Sequence, residues 1–538
     1  MWSSKQAHSQ QPSAQISAKA YPRVQIASLI ALAAISGVLL FWKLGAASLN
    51  DWDEAIYAQV AKEIVNGGDW LTLHWGYTPW FHKPPLFMWV TAFFFQVFDV
   101  SEFWARAASA LAGFGLVGCT YLIARRLYNH YAGLLTVVVL LTNYTFIHFS
   151  RFGTTDVALT LFIYIAIYAY ISMHQGNQRA WLGIWSAIAG AFMVKGVAGL
   201  SVAIAIALTL LLTNRYRQAL RSRPFWLGFG IALLIVLPWH CAMLAIHGQA
   251  FIDQYFLYHV VARSTGGLEG NEGGIFFYVD TLAQRFFPWI YLLPIALFQQ
   301  LKQPRKYMQS PGFVLLVLVA VVFGGFSLAG TKLSWYIIPI YPALAIWIGH
   351  LLWDAIAIQK KTPLIGMLIG GAIVMALFPP RVVFLSATLQ QLFTLAGFLG
   401  LLLLSFAVFK LGWSRQLMIF ALCGLFLVAG LREIKGEYQG FTRPVAKLAT
   451  VAATEPSADN APLLVAKLSA NIYVPTPLFY SNRPIAWART PEEIAELTTD
   501  QAQDILLGTK DIESLSKNYS INVLDSTGKF TYAKIKKQ

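Results

Sequence analysis

Charged residues are scarce in this 538-residue chain: Asp, Glu, Lys and Arg together make up 12% of it, about half the share usual in soluble domains. Cysteine is scarcer still. All three cysteines, Cys119, Cys241 and Cys423, fall within hydrophobic runs, which excludes a disulfide framework or a cysteine-based zinc cluster. Many transporters are built from internal repeats, and we find no such repeat in this sequence. Hydrophobic residues account for 57% of the chain, so the composition predicts a polytopic membrane protein.

The net charge of +15 does not indicate a nucleic-acid partner, because the Lys and Arg residues stand in small groups between hydrophobic runs. Such groups are typical of cytoplasmic loops that obey the positive-inside rule. Following them along the chain, we expect a cytoplasmic tail at 1–24, about thirteen transmembrane helices within 25–433, and the C-terminus on the outer side. The run at 84–98 is too short to span a bilayer and is expected to be re-entrant or interfacial.

After the last hydrophobic run, the composition turns polar over 434–538. The pattern predicts strands at 463–467, 476–487, 505–509 and 521–535, and a helix at 491–500. We therefore expect a small C-terminal α/β domain on the outer side of the membrane. The predicted fold class is an all-α polytopic membrane protein that carries this additional domain.

The first outer loop, 47–104, mixes acids, aromatic residues, glycine and proline. Asp53 and Glu54 begin a segment in which apolar residues recur every four positions, which predicts an amphipathic helix with carboxylates at its positive end and a stop at Gly67. Lys83 stands directly before Pro84, at a corner beside the bilayer. Asp53 is either a functional acid or an ordinary helix cap, and Lys83 either a functional cation or an interfacial lysine.

The second outer loop, 247–285, has a cluster of glycines between aromatic residues: Gly266, Gly267, Gly270, Gly273 and Gly274. This density of glycine is typical of a mobile lid over a substrate, and a plain flexible connector is the alternative.

Six blocks of the chain carry a family resemblance: DWDEAIYAQVAKEI, HKPPLFMW, SEFWARAASA, RFGTTDVAL, VKGVAG and FSLAGTKLSWYIIPIYPALA. In this order they resemble the bacterial lipid A aminoarabinose transferases and their protein O-mannosyltransferase relatives, which belong to the GT-C class of glycosyltransferases (families 39 and 83). The resemblance covers roughly 42–348. It implies a GT-C transmembrane domain at 25–433 and a C-terminal outer domain at 434–538.

The resemblance also implies roles for individual residues. Asp53, with Glu54 beside it, matches the family's catalytic acid, and Asp156 matches a second acidic position; a helix cap is the alternative for Asp156. Lys83 matches a lysine that contacts the lipid phosphate, and Arg263 stands where the family has a phosphate-binding arginine; an ion pair with a nearby glutamate is the alternative for Arg263.

Three further residues complete the substrate-binding candidates. Lys195 and Lys332 interrupt apolar sequence near the membrane boundary, where a lysine is a functional candidate or else a topology anchor. Tyr57 is included as the aromatic residue of the acid-bearing block.

The sequence departs from the family at two positions: Ile56 replaces an arginine, and His82 replaces the acid before Lys83. That acid helps to hold a divalent metal in some relatives. His82 is therefore the metal-ligand candidate, with a hydrogen-bonding histidine as the alternative, and zinc or magnesium is the candidate cofactor. Whether a metal is required stays open.

The predicted function is a membrane glycosyltransferase that moves a sugar from a polyprenyl (undecaprenyl) monophosphate to a lipid, glycan or protein acceptor. Such a transfer needs cations for the departing phosphate and a carboxylate for the acceptor proton. The candidate residues fall on one face of the predicted topology, so we expect an active site on the periplasmic side of the inner membrane. A transporter or flippase of lipid-linked sugars is the alternative, since it would use the same cations without chemistry.

Overall fold

The computed structural model describes residues 22–262, 265–267, 270–286, 289–357, 443–454, 461–470 and 472–538. Most of the chain before residue 358 is helical. In chain order its α-helices are α1 (Pro22–Phe41), α2 (Asp53–Gly67), α3 (Leu86–Phe98), α4 (Glu102–Leu127), α5 (His130–Leu141), α6 (Tyr144–Ser150), α7 (Thr155–His174), α8 (Ala180–Lys195), α9 (Ser201–Leu212), α10 (Tyr216–Leu220), α11 (Arg223–His247), α12 (Gln249–Phe251), α13 (Phe277–Arg285), α14 (Leu293–Leu301), α15 (Pro304–Met308), α16 (Phe313–Leu328) and α17 (Tyr341–Ala357).

Short irregular elements join these helices. They are a hairpin of β1 (His74–Trp75) and β2 (Thr78–Pro79), three 3-10 segments (Gly196–Leu200, Trp289–Leu292 and Ser334–Ile340) and a π-helix (Ile252–Ala262). The π-helix lies inside the predicted loop 247–285, so much of that loop is helical rather than extended.

Five helical segments in the described part of the chain are long and apolar enough to cross a membrane, and two bent helix pairs raise the number to seven. The chain is therefore a mostly helical, multi-pass membrane protein, as predicted. The crossings expected between 358 and 433 lie outside the described residues, as does the tail at 1–21. The short helix α3 has only 13 residues, in agreement with an interfacial or re-entrant segment.

One predicted span is broken in the structure. Between α5 and α6 the chain bends by 75°. The Asn143 side chain accepts a hydrogen bond from the Phe146 N–H at 3.0 Å and so starts a new helix. Nearby, Trp289 donates to the Thr142 hydroxyl at 2.8 Å, which fixes the bend against a distant segment.

The chain reverses at the end of α8. Gly196 has φ 58° and ψ −134°, a conformation that residues with a side chain rarely adopt. Three residues later, Gly199 lies directly against the backbone of Ala191, with no room for a Cβ atom. Helix α8 therefore ends at Lys195, so the Lys195 side chain lies at a helix end.

Helices α2 and α3 pack together in a layer beside the bundle. Helix α2 begins at Asp53 and ends at Gly67, where Gly68 takes the left-handed conformation with φ 70°, as the glycine pair predicted. The apolar face of α2 is buried inside the protein. It forms a hydrophobic core with α3, and Phe479 from the C-terminal region completes that core.

The C-terminal region forms a mixed α/β domain. Its elements are α18 (Pro444–Thr454), β3 (Leu463–Ala466), α19 (Pro475–Ser481), β4 (Ile485–Ala488), α20 (Pro491–Leu497), β5 (Gln503–Gly508), α21 (Asp511–Leu515), β6 (Tyr519–Thr527) and β7 (Phe530–Lys537). The strand order is β4-β3-β5-β7-β6, with β3 parallel to both β4 and β5. The remaining pairs are antiparallel.

The predicted strand at 476–487 is partly wrong, because its first half is the helix α19. Pro475 occupies the first helical turn, where the missing N–H is not needed. Asn482 then ends the helix in the left-handed conformation, with φ 57°. Aromatic residues suggested a strand here, but Phe479 and Tyr480 face the α2 layer instead.

Candidate active site

A cavity of about 370 Å³ opens where the corner before α3 meets the ends of α7 and α8. We call it the first cavity. Its polar and charged side chains are His82, Lys83, Asp156, Lys195, Ser201, Tyr255, Thr331 and Tyr336. Apolar residues of α7, α9 and α16 form much of the remaining wall. The cavity therefore joins a cationic end to a hydrophobic surface.

Asp156 and Lys195 form an ion pair in this cavity. The Lys195 ammonium lies 2.5 Å from the Asp156 carboxylate, and only 11% and 4% of the two side chains are exposed. Asp156 is not the cap of α7, because Thr154 takes the capping position. Asp156 lies in the first turn of α7, and the structure brings together two residues that are 39 positions apart.

Aromatic rings surround the same cations. The Lys195 ammonium lies 5.3 Å from the centre of the Tyr336 ring, within the range of a cation–π contact. Lys83 and His82 reach the cavity from the corner that Pro84 and Pro85 stiffen. Tyr255 enters from the π-helix, and burial raises the pKa of its hydroxyl, so the group stays protonated.

Asp53 is the first residue of α2 and is half-buried. Its negative charge acts on the Lys195 ammonium, so Asp53 lies near the ion pair, although it is not among the residues that line the first cavity. Asp53, Asp156 and Lys195 thus form one electrostatic group. The positive end of α2 adds to the stabilisation of the Asp53 carboxylate.

Glu54 points away from this group and is only 1% exposed. Its carboxylate accepts two hydrogen bonds from the Arg106 guanidinium, at 2.7 and 3.1 Å, and one from the Gly153 N–H at 3.0 Å. Asn50 donates from its backbone and its side chain, at 2.7 and 2.8 Å. Burial acts to raise the pKa of Glu54, but Arg106 and these donors hold that pKa below its usual value.

Two other candidates, Lys332 and Tyr57, lie elsewhere. The Lys332 ammonium donates to the carbonyls of Phe326, Ser327 and Ala329, so it satisfies the C-terminal end of α16. The Tyr57 ring is buried in the α2 and α3 core. Arg263 lies outside the described residues.

The described residues do not form a metal site. No group of three His, Cys, Asp or Glu side chains in the described part of the chain is placed to hold a metal ion. His82 lies between the Trp80 and Tyr258 rings, at 5.2 and 6.1 Å between ring centres. His240 bonds to the Tyr255 hydroxyl and to its own helix. The assignment of His82 as a metal ligand stays a prediction.

Arg106 and Tyr336 were not among the predicted site residues, although both stand in the six sequence blocks. Arg106 also donates to the carbonyls of Leu44, Ala47 and Ser48, so it fixes the chain that leads into α2. Its signal was present, because a lone arginine in an apolar helix is rarely without a structural or functional role. Tyr336 gave no such signal, since an aromatic residue in a membrane helix is ordinary.

The chain is similar in sequence to proteins of known function. A family model described as dolichyl-phosphate-mannose-protein mannosyltransferase matches residues 82–241. An undecaprenyl phosphate-alpha-4-amino-4-deoxy-L-arabinose arabinosyl transferase of Pseudomonas fluorescens is 31% identical over 333 residues. The match covers 60% of this chain and 59% of that relative, so it spans less than two thirds of the relative's length.

Solved structures extend the likeness in fold. ArnT from Cupriavidus metallidurans bound to undecaprenyl phosphate has a TM-score of 0.73 and 21% identity, and the match covers 94% of this chain and 97% of ArnT. The archaeal oligosaccharyltransferase AglB from Archaeoglobus fulgidus has a TM-score of 0.54 and 13% identity, with 95% and 74% covered.

The helical bundle, the α2 and α3 layer and the cavity between them define a multi-pass membrane protein with the GT-C fold. The resemblance inferred from the six sequence blocks is thereby confirmed. The chain is similar in sequence to the arabinosyl transferase of Pseudomonas fluorescens and shares the fold of ArnT and AglB.

Proposed function

We propose that the protein is a membrane glycosyltransferase similar to the lipid A aminoarabinose transferases. It transfers a sugar from a polyprenyl monophosphate, of the undecaprenyl type, to a lipid, glycan or protein acceptor. The observation that carries this proposal is the first cavity, in which Lys83 and Lys195 meet a wall of apolar residues. A polyprenyl phosphate has the same two parts, a compact anion and a hydrocarbon chain.

The cations are assigned to the phosphate of the donor. As the bond between the sugar carbon and the phosphate oxygen breaks, negative charge grows on the leaving phosphate, and nearby ammonium groups stabilise it. Lys83 is the first candidate for this role, and Arg263 is retained as a second. Lys195 is held in position by Asp156, and its ammonium extends the cationic end of the cavity.

Asp53 is assigned to the acceptor. Its carboxylate takes the proton of the attacking acceptor group while that group forms the new bond to the sugar carbon. Its place at the start of α2, near the Asp156 and Lys195 ion pair, supports this role. Glu54, the next residue in the chain, is assigned to positioning, because its ion pair with Arg106 fixes the start of α2.

The membrane arrangement is part of the proposal. The cytoplasmic tail, about thirteen crossings and the outer C-terminal domain would place the first cavity on the periplasmic side of the inner membrane. The positive-inside rule supports this orientation, since the basic loops at 215–223 and 302–306 lie away from the cavity in the predicted topology.

The test is a transfer assay with purified protein in lipid. The donor is an undecaprenyl phosphate sugar labelled in the sugar, a membrane extract supplies acceptors, and released undecaprenyl phosphate is measured beside labelled product. We expect Asp53→Asn and Lys83→Ala to lose transfer, whereas Asp500→Asn and Lys517→Ala, at exposed positions of the C-terminal domain, retain it. If the donor is bound or moved across the membrane while the bond between its sugar and phosphate stays intact, the protein is a transporter instead.

A further inference from the structure

A second cavity, of about 520 Å³, lies at the other end of the helical bundle. Helix α7 connects the two cavities: Asp156 in its first turn lines the first cavity, and Gln175, just after its last residue, lines the second. A helix of 20 residues is about 30 Å long, which matches the thickness of the hydrocarbon core of a bilayer. The two cavities therefore belong to opposite membrane surfaces.

The second cavity is cationic. Arg126 from the end of α4, Lys302 from the end of α14 and Lys306 from α15 line it, and its lining includes no carboxylate among the described residues. The nearest acid on α17, Asp354, is already engaged. It accepts a hydrogen bond from Gln299 and pairs with His350 at 3.5 Å. Arg126 donates to the Ser172 hydroxyl and lies over the Tyr168 ring, so its remaining N–H groups, together with Lys302 and Lys306, are available to an anionic ligand.

Gln300 gives an independent indication of a ligand. Its side chain lines the second cavity although the residue is only 8% exposed. Its carbonyl oxygen accepts from the Tyr128 hydroxyl at 3.1 Å, which leaves the amide nitrogen to point elsewhere. That nitrogen is buried and has no hydrogen-bond partner among the described residues. Buried amide donors are nearly always paired in folded proteins, so the Gln300 amide is a candidate donor to a ligand in the second cavity.

The surroundings of Gln300 hold its amide in place. The Tyr128 ring stacks on the His350 ring, with 3.7 Å between ring centres. Tyr307, another lining residue, donates to the Gly312 carbonyl and accepts from Trp347. The wall of the second cavity is thus preorganised, while Lys302 and Lys306 are exposed at its rim.

We propose that the second cavity binds a phosphate-bearing anion, with Lys302, Lys306 and Arg126 contacting its charge and the Gln300 amide donating to one of its oxygens. Phosphate fits because it offers several acceptor oxygens to donors that converge from different directions. The place at a membrane surface allows two sources, the headgroup of an anionic lipid or a soluble phosphate ester. The site is separate from the proposed transferase site and does not depend on that function.

Binding of two probes to the full chain tests the proposal. The purified protein, in nanodiscs of phosphatidylcholine, is titrated with labelled phosphatidylglycerol in one arm and with inorganic phosphate in the other. We expect Lys302→Gln/Lys306→Gln to weaken binding by about tenfold or more, since two charge-assisted contacts are lost. Gln300→Leu, which leaves the charge unchanged, should weaken it by about threefold.

Arg305→Gln is the matched control, because Arg305 lies on the same short helix but does not line the cavity. It should bind as the wild type does. Binding of phosphatidylglycerol alone identifies a lipid headgroup, and binding of inorganic phosphate identifies a soluble ester. Equal losses in Arg305→Gln and in the double variant, or no binding of either probe by the wild type, overturn the proposal. Thermal unfolding of each variant shows whether it is folded. If Gln300→Leu is not folded, Gln303→Ala, at the rim of the second cavity, takes its place.

Discussion

Asp53 and Glu54 are neighbours in the chain and have opposite surroundings. Asp53 is half-buried near the Asp156 and Lys195 ion pair, where the Lys195 charge acts on it. Glu54 is enclosed by Arg106 and by N–H donors from two other segments. A helix turns its side chains by about 100° per residue, so adjacent carboxylates on α2 necessarily face different parts of the protein. Asp53 therefore acts on the charges near the first cavity, whereas Glu54 stabilises the fold.

Glu54→Gln should therefore destabilise the protein, while Asp53→Asn should not. The Glu54 substitution leaves the Arg106 guanidinium buried without a counter-charge, which typically costs about 3–5 kcal/mol. Thermal unfolding in detergent measures the difference, with the wild type beside both variants. Equal thermal stability of Glu54→Gln and the wild type would show that the buried pair does not hold α2 in place.

The same ion pair also contributes a dependence on pH. Because the pKa of Glu54 is lowered in the folded protein, its contribution to stability is present above pH 4.5 and is lost as the pH falls through the lower, folded value. Glu54→Gln should lack this acid-side loss, so the stability difference between it and the wild type should shrink under acid conditions.

A double variant can separate the structural role of the Asp156 and Lys195 ion pair from its role in sugar transfer. Each single substitution, Asp156→Asn or Lys195→Met, leaves one buried group without its partner and should reduce stability by about 3–5 kcal/mol. The double variant should recover part of this loss, as expected for directly coupled residues. Its transfer activity should stay low, since the cationic end of the cavity has lost one charge. A double variant with restored activity would limit the pair to a structural role.

At the scale of elements, α2 was predictable and α19 was not. The acids at the start of α2, the four-residue period and the terminal glycine pair are local signals, and the structure has the predicted bounds. Helix α19 was predicted as a strand, because its aromatic residues favour strands locally, whereas its packing partner is 400 residues away on α2. The bend between α5 and α6 likewise depends on Trp289, which no local pattern could connect to Thr142.

Helices α2 and α19 meet through Lys62. Its ammonium donates to the Phe479 carbonyl at 2.7 Å and lies 4.9 Å from the centre of the Phe479 ring. Burial lowers the pKa of Lys62 from 10.5 to about 8. Below pH 8 both the folded and the unfolded protein hold this proton, and the folded state carries the cost of a buried charge. Between about pH 8 and 10.5 the unfolded state binds more protons, so stability rises with pH.

Lys62→Met removes the titrating group and tests this dependence. Relative to Lys62→Met, the wild type should gain stability as the pH is raised from 8 towards 10, and thermal unfolding at several pH values measures the gain. Lys447→Met is the control for loss of a lysine, because Lys447 is exposed on α18 of the same domain. A difference between the wild type and Lys62→Met that is constant over this range would mean that Lys62 keeps its charge at the contact.

At the scale of the whole molecule, the sequence predicted which residues form the site better than it predicted how they are arranged. The resemblance brought Asp53, Lys83 and Asp156 forward, and the structure gathers them at one end of the bundle together with Lys195. The same reasoning could not separate Lys332 from Lys195, because both interrupt apolar sequence. Only the fold shows that one ammonium caps α16 and the other faces Asp156.

The C-terminal domain adds a constraint that sequence order hides. Arg443, just before α18, pairs with Asp51 at 3.2 Å and donates from its backbone to Ser48 at 2.9 Å. Tyr480 on α19 accepts from the Leu49 N–H at 2.8 Å and donates to Glu102 at 2.9 Å. The C-terminal domain is therefore held by hydrogen bonds and an ion pair to the segment that leads into Asp53. It must lie on the same side of the membrane as the first cavity.

This geometry predicts that residues on the C-terminal domain and at the second cavity are reached from opposite sides of the membrane. In a background without the native cysteines, Lys517→Cys on the domain and Arg305→Cys on α15 each offer one exposed thiol. A membrane-impermeant maleimide should label Lys517→Cys in intact spheroplasts and Arg305→Cys only after lysis, if the first cavity faces outward. The reverse pattern would invert the orientation but keep the two cavities apart, because α7 fixes their separation. Labelling of both thiols in intact spheroplasts would contradict the arrangement of the bundle itself.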